Sequence, residues 1–310
     1  MTMARNIYLM GAFNVLFAGL CVAQDRFGGG RSRFGGVEDD GDIVRLEGGG
    51  WINQETVRTA RETTSHSTGT PNWTNPPGFE QDVFTFTRVI YKPAFGSRGF
   101  RSSWSGWIND YPDSDLNLSY RLQQLTAMKV DPDGRVLKLT DPALGDYPFI
   151  YMVKPGRAEF REEEVLPLRL YLLNGGALLA DDFWGTQEWA SFERQMKRVL
   201  PEREWVELPM THPLFHCVFD LNRSKNSLQV PAIHFFERTG ETSRNGEDSR
   251  DVHIRALLDD QRRIMVIAAH NTDNGDGWER EGENDTYFRE FSEPLAYPLA
   301  INIVFYLMTH

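Results

Sequence analysis

A short apolar run between two helix-like segments constrains the fold of this chain more than any other feature. Residues 177–180 are all apolar and end in Asp181 and Asp182, which is typical of a strand buried on both faces of a parallel sheet. The spacing of apolar residues predicts helices on either side, over 161–174 and 186–199. A strand between two helices predicts an α/β domain, because parallel strands need long crossover connections.

Other segments extend this alternation along the chain. Strands are predicted over 83–91, 136–139, 149–153, 205–208, 232–236 and 264–268, with a further helix over 113–126. The apolar segment 295–308 contains Pro298 and Asn302 and is shorter than a membrane span, so we expect a buried packing helix. In a mostly parallel sheet, ligands bind beyond the carboxyl ends of the strands, and candidate residues are therefore sought there.

The first 23 residues have the pattern of a secretory signal peptide. Arg5 gives a positive start, residues 7–20 are almost all apolar, and small residues precede Gln24. We therefore expect an exported protein, periplasmic or secreted, with residues 1–23 cleaved off. An uncleaved N-terminal anchor and a lipoprotein acylated at Cys21 are the alternatives.

Residues 24–80 are rich in glycine, serine, threonine and proline and show no sustained apolar period. Such a composition cannot bury enough surface to offset chain entropy, so we expect a disordered linker. The α/β domain is then predicted over 81–310. Removal of Cys21 with the signal peptide would leave Cys217 without a partner for an intramolecular disulfide.

Composition limits the kinds of partner that suit this chain. Its 310 residues carry a net charge of −11, and 40% of them are hydrophobic, as in an acidic globular protein. An acidic chain is poorly suited to nucleic acid or to an anionic membrane surface. We therefore expect a polar ligand or an envelope protein as partner, no nucleic acid, and membrane contact only through an uncleaved signal segment.

The first candidate site lies where the predicted strand 177–180 ends. Asp181 and Asp182 are adjacent carboxylates, and Trp184 follows them. Paired carboxylates bind a cation or separate their pKa values for acid–base work. The structural alternative is that one of the two aspartates caps the following helix.

The second candidate is the polar loop that follows the predicted strand 264–268. It contains His270, Asp273, Asp276 and Trp278. The acidic residues suggest calcium, although their spacing is not that of an EF-hand, and a tryptophan in a polar loop also suits a sugar-binding cleft. The candidate metal ligands at these two sites are Asp181, Asp182, Asp273 and Asp276.

Two further groups complete the candidate set. His212 and His216 are four residues apart, but Pro213 disfavours the regular helix that would bring them together, so a polar loop is expected. Asp110 lies beside Trp107 in a predicted turn and is not explained by helix capping alone. No cofactor is predicted, with calcium or zinc left open as alternatives.

Several of these motifs, taken together, resemble a known family. They are Asp110-Tyr111-Pro112, Leu139-Thr140-Asp141-Pro142, Asn174-Gly175-Gly176, Asp181-Asp182-Phe183-Trp184-Gly185, His212-Pro213-Leu214-Phe215-His216 and the segments 270–281 and 296–302. Over residues 82–310 the chain resembles the bacterial domain-of-unknown-function 4159 family. The resemblance implies a flavodoxin-like three-layer sandwich, similar to class I glutamine amidotransferases, and no established activity.

Glutamine hydrolysis does not follow from this resemblance. Class I amidotransferases place a nucleophilic cysteine on a strand-to-helix elbow, whereas residues 175–185 contain none and Cys217 lacks the surrounding glycines. The leading hypothesis is a non-catalytic envelope binding or scaffold module on a degenerate amidotransferase-like fold. The alternatives are a metal-assisted or carboxylate-based hydrolase of an envelope glycan or peptide, and a plain oligomerisation domain.

Overall fold

Nine strands occur in the part of the chain that this computed structural model describes, residues 42–46, 49–67, 69–78, 82–93 and 106–310. β1 (Ile43–Arg45) and β2 (Trp51–Asn53) pair as an antiparallel hairpin. The others are β3 (Thr87–Ile90), β4 (Arg135–Lys138), β5 (Phe149–Val153), β6 (Ala177–Phe183), β7 (Val206–Glu207), β8 (His253–Leu258) and β9 (Ile264–His270). They form one sheet in the order β4-β3-β5-β6-β9-β8-β7, in which β8 runs antiparallel to the other six.

Helices cover both faces of this sheet. They are α1 (Asp113–Leu125), α2 (Glu162–Leu173), α3 (Gly185–Val199), α4 (Ile233–Thr239), α5 (Asn274–Glu279), α6 (Asp285–Tyr287) and α7 (Tyr297–Thr309). Leu172 of α2 and Phe192 of α3 join the core on one face. Leu122 of α1 and Ile301 of α7 join the core on the other. The predicted α/β class with a mostly parallel sheet is confirmed, and the three layers are compatible with a flavodoxin-like fold.

The apolar run 177–180, which predicts a buried strand, forms part of β6. Every residue from Ala177 to Phe183 is buried, as expected for a strand with helices on both faces. The preceding helix α2 begins where the Glu164 carboxylate accepts a hydrogen bond from the Arg161 backbone N–H (2.7 Å). Its end is followed by Gly175 at φ 111°, a backbone conformation that other residues rarely adopt.

One predicted strand is wrong. Residues 232–236 belong to helix α4, which ends at Gly240 in the left-handed conformation (φ 70°). An apolar run of this length does not by itself distinguish a strand from a helix. Packing favours the helix, because it turns Phe236 onto the rings of Tyr287 and Phe291 (centroids 6.3 and 4.9 Å apart).

The C-terminal apolar segment is a buried helix, as the sequence predicts. α6, a π-helical stretch (Phe288–Ala296) and α7 form one continuous helix, Asp285–Thr309. Among the described residues, this is the helix that is long and apolar enough to span a membrane, with a mean hydropathy of 1.2. However, 67% of its apolar stretch is buried inside the protein. Its Asn302 side chain is satisfied inside the protein, since it donates to the Phe219 carbonyl (2.8 Å).

The N-terminal arm, residues 42–67 and 69–78, departs from the disordered linker predicted over 24–80. It runs beside β4, the outermost strand of the sheet, where the Val136 N–H donates to the Arg58 carbonyl (2.8 Å). The arm thus satisfies backbone groups that an edge strand would leave unpaired.

The arm also contributes apolar side chains to the core. They are Val44, Leu46, Ile52, Val57 and Ala60, each at most 9% exposed. These residues follow no period of 2 or 3.6, which is why the sequence pattern does not predict their burial. The remaining parts of the predicted linker, 24–41, 47–48, 68 and 79–80, and the predicted signal peptide 1–23 lie outside the described residues.

Candidate functional site

Four parallel strands bring polar residues together at one edge of the sheet. Asp110 lies in the connection after β3, Lys154 follows β5, Asp182 lies near the end of β6, and Asp273 follows β9. The Lys154 N–H donates to the Asp181 carbonyl (2.9 Å), so the ends of β5 and β6 are joined directly. This is the sheet edge at which parallel α/β proteins bind ligands.

Five carboxylates at this edge form a buried group, here called the carboxylate cluster. Its members are Asp110, Asp182, Asp273, Asp276 and Glu279, and each is at most 7% exposed. One oxygen from each of Asp110, Asp182 and Asp273 lies within 4.8 Å of the other two. The same holds for Asp110, Asp276 and Glu279, so Asp110 belongs to both sets. Carboxylates this close in a buried site disfavour one another's charge.

One carboxylate oxygen of Asp110 has no hydrogen bond in the described chain. Asp110 is 1% exposed. Its Oδ1 accepts a hydrogen bond from the Asn109 side chain, and its Oδ2 has no hydrogen-bond partner. Burial, with the charges of Asp276 and Glu279, raises the pKa of Asp110 well above its usual value. A methyl group at Gly275 would overlap Asp110 Oδ2, so the close approach of α5 depends on that glycine.

Asp182 is held by several donors. Its carboxylate pairs with the Lys154 ammonium, accepts from Trp184 Nε1 (2.9 Å) and lies 3.3 Å from Asn109 Nδ2. Arg244 is 4.0 Å away. Burial alone would lower the pKa of Lys154, but the surrounding carboxylates, Asp182 first among them, raise it above its usual value. Lys154 is therefore a fixed positive charge at one end of the carboxylate cluster.

Asp181 points away from Asp182, although the two are adjacent in sequence. It accepts hydrogen bonds from Asn274 Nδ2 (2.8 Å), the Gly275 N–H (3.0 Å) and the Tyr151 hydroxyl (3.3 Å). Burial raises the pKa of Asp181 to about 7. Its structural role is to hold the start of α5 against the end of β6.

Asp273 and Asp276 shape the first turn of α5. Asp273 accepts from the Asp276 N–H (3.1 Å), and Asp276 accepts from the Ile233 N–H (2.7 Å). Burial raises the pKa of both, and the nearby Asp182 charge raises it further. The two residues do cap and brace a helix, but they also add charge to the carboxylate cluster.

A buried arginine sets the position of Asp110. Arg88 of β3 donates to the carbonyls of Trp107 (2.8 Å) and Asn109 (2.9 Å), the two residues that lead into Asp110. Its charge is balanced by Asp115 in the first turn of α1. The connection that carries Asp110 is thus anchored to the central sheet.

The two candidate tryptophans have different surroundings. Trp184 is 2% exposed and its indole N–H contacts Asp182, so it belongs to the site. Trp278 is 1% exposed, donates to the Ala296 carbonyl (3.0 Å) and packs on Tyr151 with ring centroids 5.6 Å apart. Trp278 is therefore a core residue in this structure, not the wall of an open cleft.

His270 lies at the end of β9 but faces an aromatic group. Its ring is 4.9 Å from that of Phe183 and 5.4 Å from that of Trp189, and its Nε2–H donates to the Gly185 carbonyl (3.0 Å). Burial, aided by Arg255, lowers the pKa of His270 to about 4. The side chain is a neutral packing residue at physiological pH.

The structure does not bring His212 and His216 to the carboxylate cluster. His212 packs on the ring of Tyr306 (5.2 Å) and lies near Arg262, in the turn that precedes β9. His216 pairs with Asp220 (2.6 Å). Both histidines thus belong to the opposite end of the sheet, because the cluster lies beyond the carboxyl end of β9. His212 and His216 therefore do not join Asp181 and Asp182 in one site.

Some residues at the site were not among the sequence candidates. Lys154 directly follows a predicted strand, so the rule that selected Asp181 and Asp182 would also have selected it. Glu279, by contrast, is one of the acidic residues in segment 270–281 that already suggested calcium from the sequence. His66 could not have been found, because it comes from the N-terminal arm; its Nε2 lies 2.9 Å from Glu279 and 3.5 Å from Asp113.

Comparison with known proteins places the chain in a family. The matching family is described as Domain of unknown function (DUF4159), and the match covers residues 85–308. The chain belongs to the DUF4159 family. All five members of the carboxylate cluster lie within the DUF4159 range, whereas His66 and the rest of the N-terminal arm lie outside it. No curated protein matches this chain.

Proposed function

We propose that this DUF4159 protein is exported and that its α/β domain is a non-catalytic binding or scaffold module of the bacterial envelope. We further propose a flavodoxin-like fold of the class I glutamine amidotransferase type. The strand order supports this fold, because the first four strands of the sheet run β4-β3-β5-β6. That is the order 2-1-3-4 with which a flavodoxin-like sheet begins.

Cysteine chemistry has no support at the sheet edge where an amidotransferase nucleophile would stand. The end of β6 and the turn into α3 carry Asp182, Phe183 and Trp184 instead. Cys217, the cysteine within the described residues, lies 3.3 Å from the Asn302 carbonyl of α7, and burial raises the pKa of its thiol. A thiol of raised pKa is a poor nucleophile.

One observation carries the proposal of a non-catalytic module. The three side chains best suited to acid–base work, Asp181, Asp182 and His270, are each at most 4% exposed and each bonded within the chain. A catalytic group must reach the proton that it transfers. Side chains that are hydrogen-bonded within the chain instead keep the site rigid, and a rigid surface is suited to binding another molecule.

The test of a non-catalytic role looks for turnover of two substrates. The purified full-length chain is incubated with isolated peptidoglycan sacculi and, separately, with L-glutamine. We expect no soluble glycan or peptide fragments from the sacculi and no glutamate from glutamine. Release of fragments at a rate that depends on protein concentration would contradict a non-catalytic role.

One observation favours the alternative, a metal-assisted or carboxylate-based hydrolase of an envelope glycan or peptide. A carboxyl with a pKa of about 7, as for Asp181, holds a proton at neutral pH as a general acid does. If fragments are released from sacculi, the chain is a hydrolase, and the variant D181N tests whether Asp181 is its acid. Loss of release in a D181N chain that melts at the natural temperature would support that role, and unchanged release would exclude it.

Export has a separate test. The chain carrying a C-terminal tag is produced in a Gram-negative host, and the periplasmic fraction is analysed by intact mass. We expect a mature chain that begins at Gln24, because cleavage after small residues follows the apolar run 7–20. A full-length chain found only in the cytoplasmic fraction would contradict export.

A further inference from the structure

Three carboxylates from distant parts of the chain converge at the sheet edge. Asp110 comes from the connection after β3, Asp182 from β6 and Asp273 from the turn after β9. One oxygen of each lies within 4.8 Å of the other two, and each residue is 1% exposed. A contiguous acidic loop does not account for this set, because its members are 72 and 91 residues apart (182 − 110 and 273 − 182).

The positive charges around the cluster do not balance this set. Lys154 pairs with Asp182, and Arg280 pairs with Glu279 (2.6 Å) at the far end. Within the described part of the chain, neither Asp110 nor Asp273 has an ion pair within 4.0 Å. Buried carboxylates without a counter-charge carry a large desolvation cost, which either a proton or a metal ion removes.

An independent feature points to a ligand at this position. Asp110 Oδ2 is fully buried and accepts no hydrogen bond, although a buried carboxylate oxygen ordinarily accepts at least one. Asp110 is also the residue shared by both sets of carboxylates. Asp110 therefore keeps one buried acceptor that no hydrogen bond of the described chain uses.

We propose that Asp110, Asp182 and Asp273 bind a divalent cation of the size of calcium. The cation would join the ends of β6 and β9 to the connection after β3, and its charge would offset the charges of the buried carboxylates. This site stands apart from the envelope role proposed above, because a structural cation is compatible with a binding module, a scaffold or a hydrolase.

The kind of ligand favours calcium over magnesium. Magnesium gives up its water reluctantly and is usually bound through one or two carboxylates, whereas calcium takes about six to eight oxygens in flexible geometry. Three buried carboxylates with oxygens within 4.8 Å of one another therefore suit calcium better. The set holds neither histidine nor cysteine, the ligands that zinc prefers, so zinc is the less suitable ion.

The first experiment measures calcium-dependent stability. The full-length chain is purified in mild detergent, freed of metal with a chelator, and melted at increasing calcium concentration. We expect the melting temperature to rise by several degrees at roughly 10 mM calcium, well above the dissociation constants of extracellular calcium modules. Magnesium at equal concentration should give a smaller rise. No rise with calcium, together with no heat of binding by calorimetry, would overturn the proposal.

Single substitutions then locate the ion. D110N and D273N each remove one charged ligand, and we expect calcium affinity to fall at least about tenfold in both. Without calcium, both variants should melt at or above the temperature of the natural chain, because each lacks one uncompensated buried charge. The matched control is D113N, since Asp113 is equally buried and lies three residues from Asp110, but accepts from Ser65 and His66 instead.

Terbium luminescence gives a readout that does not depend on melting. The indole of Trp184 contacts Asp182 (2.9 Å), so a terbium ion in the calcium site would be excited through that tryptophan. We expect terbium emission that falls when calcium displaces the terbium ion and that is weaker in W184F. Emission that calcium does not displace, or that D110N and D273N leave unchanged, would contradict the assigned ligands.

Discussion

The Arg88 guanidinium is bonded through Nε to both carboxylate oxygens of Asp115, at 3.0 and 2.9 Å, with neither side chain more than 1% exposed. The same guanidinium donates to the carbonyls of Trp107 and Asn109. A single buried ion pair thus links strand β3, the first turn of α1 and the residues that lead into Asp110.

Loss of this ion pair should be costly. In R88M, Asp115 would stay buried without a counter-charge, and breaking a buried pair on one side costs about 3–5 kcal/mol. Urea unfolding measures the loss. The control R250M removes an exposed pair, with side chains 64% and 78% exposed, and should unfold as the natural chain does. A free energy of unfolding for R88M within about 1 kcal/mol of the natural value would contradict this role.

Lys154 competes with a cation for Asp182. K154M should therefore bind calcium at least about tenfold more tightly, because two like charges about 4 Å apart repel by roughly 4 kcal/mol at a dielectric constant near 20. Calorimetric titration of the metal-free chain measures this change. K197M, which removes a half-exposed lysine paired with Glu204, is the matched control and should leave affinity unchanged. Weaker binding in K154M would show instead that the ammonium is needed to hold Asp182 in place.

Gly275 permits the close contact between α5 and Asp110. In G275A, the new methyl group would overlap Asp110 Oδ2 and lie 3.0 Å from the Tyr151 hydroxyl. Overpacking of this kind costs about 1–3 kcal/mol, and chemical unfolding measures it. G145A is the matched control, because a Cβ there has nothing within 4 Å. Equal stability of the two variants would contradict the tight contact.

His270 makes stability depend on pH. Its pKa is about 4 in the folded chain and about 6.5 when exposed, so between these values the unfolded chain binds a proton that the folded chain does not. The free energy of unfolding should therefore fall by up to roughly 3 kcal/mol as pH drops from about 6.5 to about 4.

The variant H270Q tests this dependence. Unfolding in urea at pH values from 7 to 4 should give a shallower fall for H270Q than for the natural chain. H234Q, in which an exposed imidazole is removed, should keep the full slope. Equal slopes for H270Q and the natural chain would show that other groups cause the acid sensitivity.

The position of the site could be predicted from the sequence, but its composition only in part. The apolar run before Asp181 predicts a buried strand, and the end of such a strand is where ligands bind. The strand is irregular at this point, with Asp182 at φ 55° and a shift in register against β9, so the side-chain directions of the two aspartates could not be read from strand alternation. The structure assigns one to α5 and the other to Lys154.

Contacts between distant segments set the rest of the site, and no local pattern encodes them. The connection after β3 brings Asp110 to Asp273, 163 residues later (273 − 110). His212 and His216 have the spacing of a pair but lie at the other end of the sheet. His66 reaches Glu279 from a segment whose composition predicts disorder.

The N-terminal arm also imposes an order of events on a chain that is synthesised from its N-terminus. The Arg58 carbonyl accepts from Val136, so this part of the arm finds its partner only once that strand has emerged. His66 must wait longer, because Glu279 lies near the end of the chain. The first described segment to be synthesised is thus among the last to form its contacts with the rest of the chain. Until then, Asp113 and Glu279 lack the contact with the His66 imidazole that the folded chain gives them.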